Sequence, residues 1–192
     1  MLAGRQSISA GSPEAARRLF AMSQPIGGTL VEAALRKRGI TTLHETGALR
    51  FHPRCYYRPA EDDVPGVHSP TETWPAMIAA VTDLSGKLTG AHRTWLDPGG
   101  FSEANLGRAP IETPRRAMGD LLGQAVRFGV GGEVMAAGEG IETTLSVRSV
   151  LTQMPSMAAL SAAHLSAILF PRTLRRLYVA RDNDPAGDRA MT

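Results

Sequence analysis

Cysteine is almost missing from this 192-residue chain, which has Cys55 alone. That excludes an internal disulfide, and without a Cys-x-x-Cys pair there is no zinc ribbon. No run approaches the roughly 18 apolar residues needed to span a bilayer. The N-terminus also lacks the basic-then-apolar pattern of a signal peptide. We therefore expect a cytoplasmic protein with no membrane partner. No Gly-x-x-x-x-Gly-Lys-Ser/Thr occurs, so a nucleotide-driven motor working with this chain would have to lie on another polypeptide.

The rest of the composition is ordinary globular material. With 43% hydrophobic and 20% charged residues, the chain can bury a sizeable core in one or two domains. A net charge of +3 and a pI near 9.5 fit a polyanionic partner without demanding one. Arginine supplies most of the positive charge, which suits forked contacts to phosphate.

The chemistry concentrates after Glu133. Short apolar runs alternate with helical segments there, as in a parallel sheet with crossover helices. We expect strands at 134–137, 157–160 and 177–180, helices at 142–154 and 164–170, and a further helix from Pro185. Ligands gather at the carboxyl ends of such strands. Two acidic signatures stand there, Gly138-Glu139-Gly140-Ile141-Glu142-Thr143 and Asp182-Asn183-Asp184-Pro185-Ala186-Gly187. In an extended chain Asp182 and Asp184 share a face, and hard oxygens at that spacing suit a magnesium ion bridging to phosphate. Gly138 and Gly140 would let a backbone or substrate approach closely. Taken alone, Asp182 to Pro185 reads equally well as a turn and helix cap. Glu142 reads as first-turn charge complementing a helix dipole.

Upstream, Met1 to Ser12 is a polar leader. Ser12 and Pro13 open a helix that carries Ala16, Leu19, Phe20 and Met22 inward. A second helix spans 29–38 and stops at Gly39. Its closing cluster Arg36-Lys37-Arg38 reads first as dipole complement and second as nucleic-acid contact. Leu49 to Pro53 looks like a strand end. Tyr56 and Tyr57 beside Arg54 and Arg58 offer a minor base-stacking reading, while His52 and Cys55 are too few for a metal. Glu61 to Pro75 reads as an exposed loop. Residues 76–83 and 87–96, joined by Ser85-Gly86, read as an antiparallel hairpin, and Phe101 to Pro114 as irregular. Arg115 and Arg116 follow, then a short strand at 125–128 and a Gly-rich crossing at 129–132. Late in the chain, Arg172, Arg175 and Arg176 read as a solvated edge or a basic rim, and His164 as packed or surface.

The paired acidic signatures resemble the Toprim domain of primases, topoisomerases and some nucleases, most of all the primases of phages and plasmids. Gly90-Ala91-His92-Arg93-Thr94-Trp95-Leu96 and Arg36-Lys37-Arg38-Gly39-Ile40 share that likeness. The resemblance implies an α/β fold, a Toprim-like parallel-sheet lobe preceded by a smaller α+β lobe with an antiparallel hairpin. It divides the chain into a leader at 1–12, a primase-like lobe at 13–130 and an incomplete Toprim-like lobe at 131–192, since a Toprim unit continues into a further strand. By resemblance, Glu139 is the acid or base of nucleotidyl transfer, and Asp182 and Asp184, with Glu139, hold Mg2+ or Mn2+. Arg93, with Arg115, Arg116, Arg36, Lys37 and Arg38, would contact phosphate. The implied partners are a single-stranded DNA template, nucleoside triphosphates and a helicase on a separate chain. The implied activity is primer synthesis, with a Toprim-type nuclease or a non-catalytic single-strand-binding module as alternatives.

Overall fold

In the computed structural model, which describes residues 11–44, 46–59 and 71–180, the Ser12 hydroxyl accepts the Ala15 N–H and caps helix α1 (Pro13–Ala21). Its missing N–H makes Pro13 harmless at this first position. Ala16 is buried, but the expectation for Met22 is corrected. Met22 is the C-cap and is 69% exposed, because at 3.6 residues per turn it falls about 120° round the helix from the buried Ala16. Helix α2 (Leu30–Lys37) ends at Arg38, and Gly39 takes the left-handed φ of +79° that reverses the chain. Val31 and Leu35 form its buried face.

These helices flank a five-stranded antiparallel sheet ordered β1 (Gln24–Pro25), β2 (Leu49–Tyr57), β3 (Glu72–Thr82), β4 (Leu88–Trp95) and β5 (Arg115–Gly119). The expected hairpin is β3–β4, with Ala79 opposite His92 and Met77 opposite Thr94. Three expectations are corrected here. Strand β2 does not stop near Pro53, because a bulge between His52 and Cys55 absorbs the proline and pairing resumes to Tyr57. Residues Glu72 to Pro75 belong to β3 rather than to a loop. Arg115 to Gly119 form an edge strand that the sequence pattern did not announce.

Alternation divides this sheet into two faces. Ala76, Ile78, Ala91 and Trp95 pack with Ala16 of α1, together with Cys55 and Tyr57. Tyr57 is 3% exposed, with its ring edge-on to Trp95 at 5.1 Å, so it is core and cannot stack a base. Tyr56 points the other way and is 71% exposed. On the opposite face Leu49, Met77, Ala79 and Val81 pack with Val31 and Leu35 of α2.

A second sheet is ordered β6 (Val126–Phe128), β8 (Ser156–Ala158), β7 (Val134–Gly138) and β9 (Arg176–Ala180). Strand β7 is parallel to both β8 and β9, whereas β6 runs antiparallel to β8. Helix α3 (Ile141–Val150) is shorter than the expected 142–154, and α4 (Ala162–Ala167) begins and ends earlier than expected. The fold is thus mixed α/β, an antiparallel sheet beside a mixed sheet with a parallel centre. Val126, Phe128, Ile141, Leu145 and Ala158 join the core that holds Leu49, Met77 and Ala79, so the two sheets share one apolar interior. Met135, Ala137, Met157 and Ile168 form a separate cluster on the far side of the second sheet. None of the described helices is long and apolar enough to cross a membrane.

Candidate functional site

The site begins where β7 ends. Gly138 pairs in parallel register with Ala180, so β7 and β9 finish level with one another. Glu139 follows Gly138 directly and is partly buried. Its backbone carbonyl accepts the Leu160 N–H at 2.7 Å, and the Gly138 carbonyl accepts the Ala159 N–H at 2.9 Å. Gly140 is the N-cap of α3, with no side-chain cap bond. The Thr144 hydroxyl donates back to the Gly140 carbonyl at 2.8 Å, tightening the turn. Asp182 and Asp184 follow Ala180 by two and four residues in sequence and lie outside the described residues, as does the expected helix from Pro185. Among the described residues no three of His, Cys, Asp and Glu gather closely enough to hold a metal.

Glu142 does more than complement a dipole. Its carboxylate reaches the first lobe, where Oε1 lies 3.8 Å from Arg38 Nη2, with side chains only 19% and 16% exposed. Arg38 also donates to the Leu106 carbonyl at 3.0 Å. Arg108, bridged to Leu96 beside β4, lies within electrostatic reach of Glu142, Arg38 and Arg115, and burial lowers its pKa. Its Nε has no hydrogen-bond partner among the described residues. His92 faces the same way. Burial pushes its pKa down to about 4, against the pull of Glu142, with Arg115 and Arg93 adding to the depression. Among the described residues, one carboxylate therefore sits with three guanidinium groups and a neutral imidazole.

The expected phosphate contacts separate. Arg38 and Arg115 belong to this cluster. Arg93 and Arg116 pair across strands on the other face, the α1 side. Arg93 lies over the Trp95 ring at 5.0 Å, and Arg116 over Tyr57 at 5.5 Å while donating to the Arg58 carbonyl. Burial lowers the Arg93 pKa. Trp95 is 1% exposed and donates to the Cys55 carbonyl, which makes it core. Arg36 pairs with Glu32 and donates to the Thr41 carbonyl along a groove of about 560 Å³. Lys37 is exposed. The three adjacent cations thus point to three environments. Of the late arginines, Arg175 is exposed and paired with Glu133 at 3.2 Å. His164 is partly buried on α4, and its N–H meets the Ser161 cap.

Residues 10–128 match the family described as a domain of unknown function, DUF7146. The chain belongs to this family. Residues 134–192 match the Toprim domain, so the DUF7146 region supplies the five-stranded sheet and the Toprim region the end of β7 that carries Glu139. No curated protein matches this DUF7146–Toprim chain in sequence. Solved structures do match in fold. The primase fragment of the bacteriophage T7 primase-helicase is 16% identical with a TM-score of 0.55, over 99% of this chain and 66% of that one. A DnaG primase catalytic domain bound to single-stranded DNA is 15% identical at 0.55, over 93% and 63%. A DNA primase domain from Pseudomonas aeruginosa is 10% identical at 0.58, over 92% and 63%. At these identities the likeness is one of fold, a Toprim primase-like fold. The chain spans less than two thirds of the length of those chains.

Proposed function

We propose that this chain is a primase-type nucleotidyl transferase unit that makes short primers on single-stranded DNA, in the cytoplasm and with a divalent ion. The observation that carries the reading is the level ending of β7 and β9, with Glu139 on one strand end and the sequence Asp182-x-Asp184 following the other. In this reading the three carboxylates form one site at the edge of the parallel sheet, where such sheets collect ligands.

Carboxylate oxygens are hard donors and suit Mg2+ or Mn2+. Glu139 fits that role as a partly buried carboxylate directly after the end of β7. Asp182 and Asp184 would hold the ion with it, and the ion would supply charge neutralisation at the triphosphate. Glu139 would also move the proton of the attacking hydroxyl. Arg38 and Arg108, which are partly buried and so act at lower dielectric than surface cations, together with the exposed Arg115, would draw the polyanionic substrate toward this end of the molecule. Nucleoside triphosphates and template are thus the partners we assign. A helicase on a separate chain is the third, by analogy with the bacteriophage T7 primase-helicase. The division of the chain that goes with this reading lies at the Gly-rich crossing near residue 131.

Primer synthesis on single-stranded DNA with nucleoside triphosphates and Mg2+ tests the reading. Asp182→Asn and Glu139→Gln should each abolish product while leaving the far-UV spectrum and melting temperature intact. Unchanged synthesis in both variants overturns it. Cleavage of the strand without triphosphates would instead assign the same carboxylates to a nuclease.

A further inference from the structure

We infer that Glu142 is a positioning residue that couples the first lobe to the turn carrying Glu139; its catalytic meaning rests on the role proposed for Glu139. Glu142 sits in the first turn of α3, three residues after Glu139 and two after the N-cap Gly140. Beside the apolar contact of Ile141, its carboxylate gives this turn a polar contact with the first lobe, through Arg38 at the C-cap of α2. Arg38 is itself fixed by the Leu106 carbonyl, and the Leu106 loop is tied to β4 through the Leu96–Arg108 bridge. A chain of contacts therefore runs from the five-stranded sheet to the end of β7.

A second, independent observation marks the same turn. Among the described residues only two non-glycine residues hold a left-handed φ, Leu106 at +53° and Leu160 at +77°. Such conformations persist only where their surroundings enforce them, and they cluster at working sites. Leu106 supplies the carbonyl that holds Arg38, and Leu160 supplies the N–H that holds the Glu139 carbonyl. Both strained residues thus brace the segment from Glu139 to Glu142, one from each lobe. The pair is mostly withdrawn from solvent, so its attraction is weakly screened, and its loss takes from the mutually repelling Arg38 and Arg108 the carboxylate that offsets them among the described residues.

Amide hydrogen exchange on the full chain tests the coupling without reference to activity. Glu142→Gln, which keeps volume and removes charge, should speed exchange at residues 140–144 by about tenfold and leave residues 77–81 of β3 unchanged. Arg38→Gln should do the same, and the double variant should be no faster than the faster single one. Exchange unchanged at 140–144, raised equally throughout, or additive in the double variant overturns the inference. In primer synthesis Glu142→Gln should lower kcat at least tenfold with KM for the triphosphate within about twofold, because the coupling orients a reacting group rather than binding substrate. An inactive wild-type chain would count against the proposed reaction alone, and the exchange result would still decide the coupling.

Discussion

Gly138 and Thr144 approach so closely that a Cβ on Gly138 would stand 2.8 Å from the Thr144 hydroxyl oxygen. That hydroxyl is committed to the carbonyls of Gly140 and Met157 and is buried, so it has nowhere to retreat. Gly138→Ala should therefore destabilise the chain by roughly 1–3 kcal/mol, the usual cost of overpacking. Gly140→Ala meets nothing nearer than 3.5 Å and should cost much less. Thermal unfolding of the two variants side by side checks the contrast.

Arg93 and Arg115 lie on opposite faces of the five-stranded sheet, and this separates their expected effects. Arg115→Ala should weaken single-strand binding and reduce the slope of log K against log salt by about 0.7. Arg93→Ala should leave that slope unchanged and cost roughly 1 kcal/mol of stability through the lost contact with Trp95. A salt titration of binding with a melting curve for each variant measures both. An altered slope for Arg93→Ala would return it to the nucleic-acid surface.

How much of this was legible in the sequence follows from the range of the forces involved. Helix α1, the β3–β4 hairpin and strands β6 to β9 were readable because local periodicity, Ser12-Pro13 and the Ser85-Gly86 turn act over a few residues. Strand β2 was hidden by Pro53, which reads as a terminator unless a bulge absorbs it. Strand β5 was hidden because Arg115-Arg116 carries no apolar alternation and gains its place only by pairing with β4. The acidic residue at the end of β7 was visible as a type and a position. Its surroundings were not, because which of His92 and Arg93 faces α3 depends on which face of the sheet α1 covers, and that is a tertiary fact. Glu142 looked like a local dipole complement for the same reason, since its partner Arg38 is more than a hundred residues away.

Cys55 is 3% exposed, and burial pushes its thiol pKa up to about 11 despite the nearby Arg93 guanidinium. Thiolate is the reactive form, so the native chain should resist alkylation at neutral pH. Iodoacetamide labelling followed by mass should proceed only as fast as the chain opens, and rise sharply in denaturant. Rapid labelling of the native chain would mean that the α1 face of the sheet opens readily.

His92 makes the stability of the chain depend on pH in a defined direction. Its pKa is lowered from 6.5 to about 4 in the folded chain, so between these values the unfolded chain binds the extra proton. The contribution is fully present above pH 6.5 and is lost as pH falls toward 4, with a ceiling of roughly 3 kcal/mol. The physical cause is burial against Ala79 and Ala117 on the neighbouring strands, reinforced by Arg115 and Arg93 and opposed by Glu142. In His92→Gln the imidazole is gone, while every other titrating group remains. Urea unfolding at intervals from pH 7.5 to 4 should show the wild-type chain losing stability faster than the variant between 6.5 and 4, and in parallel with it above 7. Adding Glu142→Gln to the wild-type background removes the one carboxylate among the described residues that favours the imidazolium. That should steepen the loss and move its lower limit to a more acidic pH.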